Sequence, residues 1–378
     1  GATGNNRAAM EVLTGILGIV IILGSIVFVH ELGHFVVAKL SKMGVHEFAI
    51  GFGPPLISWV RKGTRYSLRA FPLGGYVRIA GMEPGEENEP NGFYTKGFIA
   101  KFATILAGAT MNFILALVVF VVIGLAIGYY EPAERAVIQR VEPGMPAALA
   151  GLRAGDELVE VNGVHHPTSD EAVVALREGH GPARLVVRRD GRQFSRLILP
   201  DQITVPEVVG IDIVFRERRL IGVELQSHLA RKGPGPSIAA GVKSLSYTFR
   251  FAIANIRYIA SGKAKITQIG GPVAVMRMSY EVSKNAFTSK ALFAEFLSTL
   301  AMLSVLIGFF NILPIPALDG GHLATIVVES LFRRITKKEF DRSKVAIVHA
   351  VGLMLLLAFI VIISVMNVGQ WAGWIQTE

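Results

Sequence analysis

Residues 28–40 of this 378-residue chain read FVHELGHFVVAKL. They close a stretch, Val12–Val29, in which no side chain carries a charge; His30, Glu31 and His34 then arrive within five residues. On an α-helix, positions four apart share a face, so both imidazoles can reach one ion. Glu31 is rotated about 100° from His30, near enough to act on water at that ion without being a ligand itself. Zinc suits this division of labour, with two or three protein ligands and one open position. A five-residue pattern also arises by chance in long chains, but the location argues against chance. Each charged group at membrane depth costs about 2.5–3.5 kcal/mol on insertion scales, whereas bound zinc returns on the order of 10 kcal/mol.

The membrane reading comes from four uncharged apolar runs, Val12–Val29, Phe102–Tyr130, Phe296–Leu318 and Val345–Val368. Each reaches the roughly 20 residues that a helix needs to cross a bilayer. The first is too long, and too close to the histidines, for a simple cleaved signal peptide. Residues 1–9 read as an unstructured leader foreign to the natural start, with Met10 as the native initiator. The chain has no cysteine, which excludes disulfides and thiolate ligands. Its net charge of +9 follows the spans and gives no sign of nucleic-acid binding. Nine Lys/Arg lie between Lys39 and Lys101, and six more within Arg333–Lys344. Trp371 and Trp374 follow the last run as an interfacial belt. The positive-inside bias makes the two basic loops cytoplasmic and puts the long segment 131–295 on the other side. Lys39 and Lys42 need no role beyond anchoring the end of the first span.

Two histidines leave zinc short of a ligand, and the third run supplies a candidate in FFNILPIPALDGGHL. Asn311, Pro314, Pro316 and Asp319 interrupt an otherwise apolar segment. Two prolines two residues apart break a helix, and broken backbone at membrane depth is tolerated where it is buried or lines a watery cavity. Spans one and three run in the same direction. His30 lies about 18 residues into the first and Asp319 about 23 into the third, so both fall near the cytoplasmic end. Asp319 is the expected third ligand, against a plain helix cap before a Gly-Gly turn. His322, one turn on, is a rival ligand or a support for one. His46 reads as a loop histidine, and His165–His166 fall in a turn of the soluble part.

The remaining segments set the architecture. Arg65–Ile79 alternates polar and apolar residues around Pro-Leu-Gly-Gly, which predicts a β-hairpin with its turn there, followed by an exposed acidic loop over Glu83–Asn91. Residues 133–200 have a soluble composition. The stretch AVIQRVEPGMPAALAGLRAGDELVEVNGV predicts strand, short helix and strand; a helix near Ser169–Arg177 and two strands around Asp190–Gly191 follow. That order, and the AGLRAGDELVEVNG wording, resemble a PDZ domain of the bacterial protease type. Residues 201–235 read as irregular strands and a linker. From Ser237, the residues Ile238, Val242, Leu245, Phe249, Ile253 and Ile256 share one helical face and Lys243, Arg250 and Arg257 another, which predicts an amphipathic helix at the membrane surface. The fold class is therefore a polytopic α-helical membrane protein with about four spans, a membrane-associated β-hairpin and an inserted α+β PDZ domain. Its divisions are 10–130, 131–235 with a core at 133–200, 236–295 and 296–378.

Taken together, HELGH and NILPIPALDGG resemble the site-2 protease family of intramembrane zinc metalloproteases, in the branch of the regulator-of-sigma-E protease. The resemblance extends over nearly the whole chain, including the GFGP…FPLGGYV region and the single PDZ insertion. It implies one Zn2+ per chain held by His30, His34 and Asp319, Glu31 as catalytic acid/base, and Asn311, Pro314 and Pro316 near the substrate backbone. Tyr66, Leu73, Gly74, Gly75 and Tyr76 become candidates for receiving an unwound substrate along the hairpin edge. Relatives often carry Gly-Pro before the Asn-Phe of the second span, whereas this chain reads AGATMNF, so the role of Asn112 stays open. The resemblance further implies a multi-pass protein of the bacterial inner membrane with its active site toward the cytoplasm and its PDZ domain outside. The implied substrates are single-span membrane proteins first trimmed by another protease, such as anti-sigma factors in stress-response signalling. The expected partners are the lipid bilayer and a PDZ ligand, with no nucleic acid. A metal transporter and a PDZ scaffold with an inactive core are the competing classes; neither accounts for Glu31 beside a complete ligand set.

Overall fold

A computed structural model of the protein describes residues 2–83, 85–86, 88–264, 270–338 and 342–372. Trp374, the acidic-loop residues 84 and 87, and residues 339–341 of the second basic loop lie outside them, as do the side chains of residues 1–8, Leu73 and residues 342–344. The chain divides into two compact units, one of residues 1–123, 237–252 and 258–378, the other of residues 124–236 and 253–257. Among the described residues, four helices are long and apolar enough to cross a membrane: Ala9–Leu40, Phe98–Ile127, Lys290–Ile312 and Val345–Trp371.

In the first unit, α1 (Ala2–Leu40) is apolar nearly all round, as a helix in hydrocarbon must be. It already includes residues 2–9, which the sequence reading took for an unstructured leader. A hairpin follows, β1 (Val45–Arg61) against β2 (Thr64–Ile79). Its turn is Lys62–Gly63, with φ of 49° and 76°, the pair of positive values that a two-residue hairpin turn matching strand twist requires. The expected turn at Pro-Leu-Gly-Gly is therefore corrected: these residues lie inside β2, and the partner strand comes from before the turn. The register slips between Ile50 and Ile57, where β1 carries Gly51, Gly53 and two prolines. On this hairpin Glu47 accepts hydrogen bonds from Ser67, Arg69 and Tyr76. Burial alone would raise its carboxyl; these donors outweigh burial and hold it below the ordinary range.

The chain returns in α2 (Phe98–Val122), extended by one wide turn through Ile127. The second unit then begins with β3 (Tyr129–Pro132), β4 (Ile138–Val141), α3 (Pro146–Leu149), β5 (Glu157–Val161), β6 (Val164–His165), α4 (Ser169–Glu178), β7 (Ala183–Arg189) and β8 (Arg192–Ile198). The strands β6-β5-β7-β8 form one antiparallel sheet. Asn162–Gly163 and Asp190–Gly191 make the expected turns, all four residues at positive φ. Thr168 and Glu171 cap α4 reciprocally. The segment expected to be irregular is instead ordered. β9 (Asp201–Val209) and β10 (Asp212–Leu220) pair over their full length, and β11 (Val223–Leu225) and β12 (Ser227–Ala230) return to pair with β4 and β3. Ile221, Val223 and Leu225 pack with Ile138, Leu158 and Leu185, so the hydrophobic core draws on residues beyond 200.

Next comes α5 (Pro234–Ala260). Its buried positions in the first unit are the small residues Ser237, Gly241, Thr248 and Ala252, while Ile238 and Val242 of the expected apolar face are half exposed. A short helix that the sequence reading did not separate, α6 (Pro272–Ser283), packs on α1 where Gly15 and Gly18 make room for Tyr280 and Ser283. Then α7 (Lys290–Ile312), capped by Ser289, crosses the unit. The apolar run to Leu318 is not one span. Its helix stops at Ile312, Pro314 and Pro316 lie in the break, and α8 (Asp319–Thr336) starts anew. The last helix is α9 (Arg342–Trp371).

Candidate metal centre

Three helices of the first unit build the site. His30 and His34 project from the second half of α1, both more than nine-tenths buried. Asp319 stands in the first turn of α8, just past the third apolar run, where the segment broken at Pro314 and Pro316 turns back on itself. Gly320 and Gly321 permit that return: a Cβ on either would collide with the carbonyls of Leu313 and Ile315. His30 Nε2 and His34 Nε2 lie 3.0 and 3.1 Å from Asp319 Oδ2, and 3.1 Å from each other.

The outer nitrogens of both rings are engaged on α2. His34 Nδ1 lies 2.8 Å from the Thr104 carbonyl oxygen, so Nδ1 carries the proton and Nε2 a lone pair. His30 Nδ1 lies 3.2 Å from the side-chain amide of Asn112, which is fully buried. The contact runs through Nδ2 and leaves Asn112 Oδ1 without a partner. A half-turn of the amide gives Oδ1 a proton from His30 Nδ1 and frees Nε2. Ser304 Oγ donates to the Asn112 carbonyl at 2.8 Å and ties α7 to the same point of α2. Gly108 lies opposite the imidazoles, and a Cβ there would run into both rings.

The arrangement fits a metal ion. Two imidazole nitrogens and a carboxylate oxygen converge about 3 Å apart with their acceptor sides facing, and Asp319 Oδ2 is buried without a hydrogen-bond donor. No single proton satisfies three such atoms; one cation does. Glu31, half-buried one position along α1, faces the backbone N–H of Val77 in β2.

The other anticipated residues divide. Gly75 does come to the site, since a Cβ added there would touch Glu31, and Gly74 beside it takes a φ of 120° under the Phe52 ring. Leu73 belongs to the backbone of β2, and its side chain lies outside the described residues. Tyr76 donates to Glu47, and Tyr66 packs among Phe35, Phe48 and Trp59, so both side chains are spent within the hairpin region. Asn311 sits in the last turn of α7, and Pro314 and Pro316 in the break after it. His322 is outside the ligand group and stacks on His349 at 4.3 Å between ring centroids. His46 pairs with Glu89 at the foot of the hairpin instead of standing free. Sequence reasoning missed Thr104, Gly108 and Val77. Only Gly108 left a signal, the small run Ala107–Ala109 in an otherwise bulky span.

A bundle of candidate spans with H-E-x-x-H and a facing carboxylate has the outline of an integral-membrane metallopeptidase. The chain belongs to peptidase family M50, whose model matches residues 18–359. It is similar to the zinc metalloprotease RasP of Geobacillus kaustophilus, 28% identical over 94% of this chain and 98% of the relative. It is also similar to a protein of Fusobacterium nucleatum named as a candidate zinc metalloprotease, at 34% identity over 92% and 97% of the two chains. A counterpart in Clostridium acetobutylicum is 31% identical over 91% and 94%.

Proposed function

We propose that the protein is a zinc endopeptidase that hydrolyses a peptide bond in or near the transmembrane segment of single-span membrane proteins. The observation that carries this reading is the convergence of His30, His34 and Asp319, with Glu31 beside them, among candidate membrane spans. His30, His34 and Asp319 would hold the ion, which supplies a Lewis acid for the scissile carbonyl and lowers the pKa of attacking water. Glu31 takes the proton from that water and hands it to the departing amide nitrogen. The Val77 N–H aims the carboxylate while this happens.

A transmembrane helix has its carbonyls already hydrogen-bonded, so the substrate must unwind before cleavage. β2 offers a template. Alternate residues of a strand direct their backbone groups to the same edge, and the Val77 amide faces Glu31, so Gly75 presents its own backbone on that side. An unwound segment added along this edge lies against the base. The strand and helix order over Ile138–Ile198, with β11 added to β4, supports a PDZ-type module in the second unit. The charge bias of the loops favours a cytoplasmic site and an extracytoplasmic module in a bacterial inner membrane. Pre-trimmed anti-sigma factors, in stress-response signalling, are the substrate class that agrees with this topology.

The test compares wild type with Glu31→Gln in purified form, by zinc content and by cleavage of model membrane peptides. Zinc retained with cleavage lower by about 10²-fold or more supports the assignment. Cleavage that survives the substitution removes Glu31 as the base, and zinc flux into vesicles without cleavage would point to a transporter.

A further inference from the structure

Asp319 opens α8 directly behind residues 313–318, which form neither helix nor strand, so other contacts must fix where that helix begins. Ala317, two residues before it, has φ of +75°. An L-residue adopts this region only at a steric cost that other contacts must offset. Its N–H donates to His349 Nδ1 across 3.2 Å, from α8's approach to the face of α9. A neutral imidazole that accepts at Nδ1 carries its proton on Nε2. That nitrogen faces Thr325 Oγ1 at 3.4 Å, and the Thr325 hydroxyl donates to the Gly321 carbonyl at 2.9 Å. The relay therefore starts two residues before Asp319 and ends two residues after it.

Two further contacts fall in the same place. The His322 ring stacks on His349, 19° from parallel. Three residues along α9, on the same face, Gly352 receives Pro316; a Cβ there would overlap the proline ring. Elsewhere α9 shows Ile347, Val348, Met354 and Leu355 largely exposed. Its attachment near the metal centre is concentrated on the loop that presents Asp319.

We infer that His349 is a positioning residue for Asp319: through the Ala317 amide and Thr325 it sets the geometry of the segment that delivers the carboxylate to His30 and His34. The consequence for metal binding rests on the zinc reading above; the latch on the loop rests on geometry alone. The side chain acts as a hydrogen-bond acceptor at its δ position, and this makes the substitutions discriminating. Leu fills the volume without accepting. Asn places an amide oxygen where Nδ1 sits. Gln reaches toward Thr325 and misses the Ala317 amide.

The full-length protein in nanodiscs is compared as wild type, His349→Leu, His349→Asn and His349→Gln. Hydrogen exchange over residues 313–321 is read in the metal-free state, followed by zinc competition titration and the visible spectrum of the Co2+ form. In His349→Leu, exchange in this segment rises about tenfold, the loss of one hydrogen bond. Zinc affinity falls about 10–100-fold, as for outer partners of metal ligands, and the Co2+ bands shift. His349→Asn returns both toward wild type, and His349→Gln stays near His349→Leu. Wild-type exchange and affinity in His349→Leu would overturn the proposal. So would equal damage in Leu and Asn with a matching drop in melting temperature, since that marks general packing. If wild type takes up no zinc while exchange still responds to His349→Leu, the zinc reading falls and the latch stands.

Discussion

The proposed ligand set has two halves built on opposite plans. His30 and His34 sit on an unbroken helix, and each ring is pinned from behind by a group on α2, the Thr104 carbonyl or the Asn112 amide. Asp319 sits at the start of a helix behind a broken segment, with Oδ2 buried and no donor behind it. The first half is rigid because the backbone is regular. The second is rigid only because distant groups hold it: His349 on one flank, glycine sterics at positions 320 and 321, and a buried ion pair at the far end of α8. A metal site assembled from one regular and one irregular half keeps the open side that catalysis needs, since the irregular half need not wrap around the ion.

The most damaging way to break the histidine half is from the helix that faces it. Gly108→Leu drives a side chain into the space of both imidazoles, where even a Cβ does not fit. Zinc content should fall to background, well beyond the roughly 100-fold loss from removing an outer partner. Stoichiometric zinc in Gly108→Leu, measured by elemental analysis, would mean that α2 does not limit the rings.

The carboxylate half is best attacked at the other end of α8. Glu329 and Lys101 are both nearly buried and pair at 3.1 Å, joining α8 to α2, with Arg333 also 3.5 Å from Glu329. Removing Lys101 takes from the buried Glu329 its nearest cation, a loss that costs up to about 3–5 kcal/mol; replacing both with apolar residues is often near neutral. Lys101→Met should thus lower the melting temperature sharply, and Lys101→Met with Glu329→Leu should recover most of it. If the pair only supports folding, the recovered double variant binds zinc like wild type. If it also aligns Asp319, zinc affinity stays reduced after stability returns.

The same asymmetry explains what could be read from the chain. Period-four spacing is a local property, so His30, His34 and the base Glu31 were legible from residues 28–40 alone. Asp319 was legible as a candidate ligand just past the third apolar run, and Pro314 and Pro316 marked the break; what a hydropathy run cannot show is that a new helix, α8, opens at Asp319 itself. The hairpin failed similarly. Pro-Leu-Gly-Gly has turn composition, yet Lys62–Gly63 makes the turn, and choosing between them required the partner strand, which precedes Arg65. In the second unit, Asn162–Gly163 and Asp190–Gly191 marked their turns well because both residues of each pair tolerate positive φ. The return of Val223–Leu225 to pair with β4 is a non-local event with no local mark. Thr104 and Val77 act through backbone groups, which every residue has, and so left nothing to find.

Asn112 sharpens the comparison with the smallest expected effect. Its two roles separate by chemistry. As a packing residue it fills a fully buried site, and Leu, with the same branching and number of side-chain heavy atoms, fills that site without a polar group. As a partner of His30 it must accept the Nδ1 proton, which Leu cannot do and Asp can. Asn112→Leu should therefore keep the melting temperature near wild type while zinc affinity drops about 10–100-fold. Asn112→Asp, an acceptor only, should bind zinc at least as tightly as wild type, because a carboxylate behind an imidazole raises its basicity. Asn112→Leu with undiminished affinity would mean that α1 alone orients His30, leaving the histidine half independent of the second span at that ring.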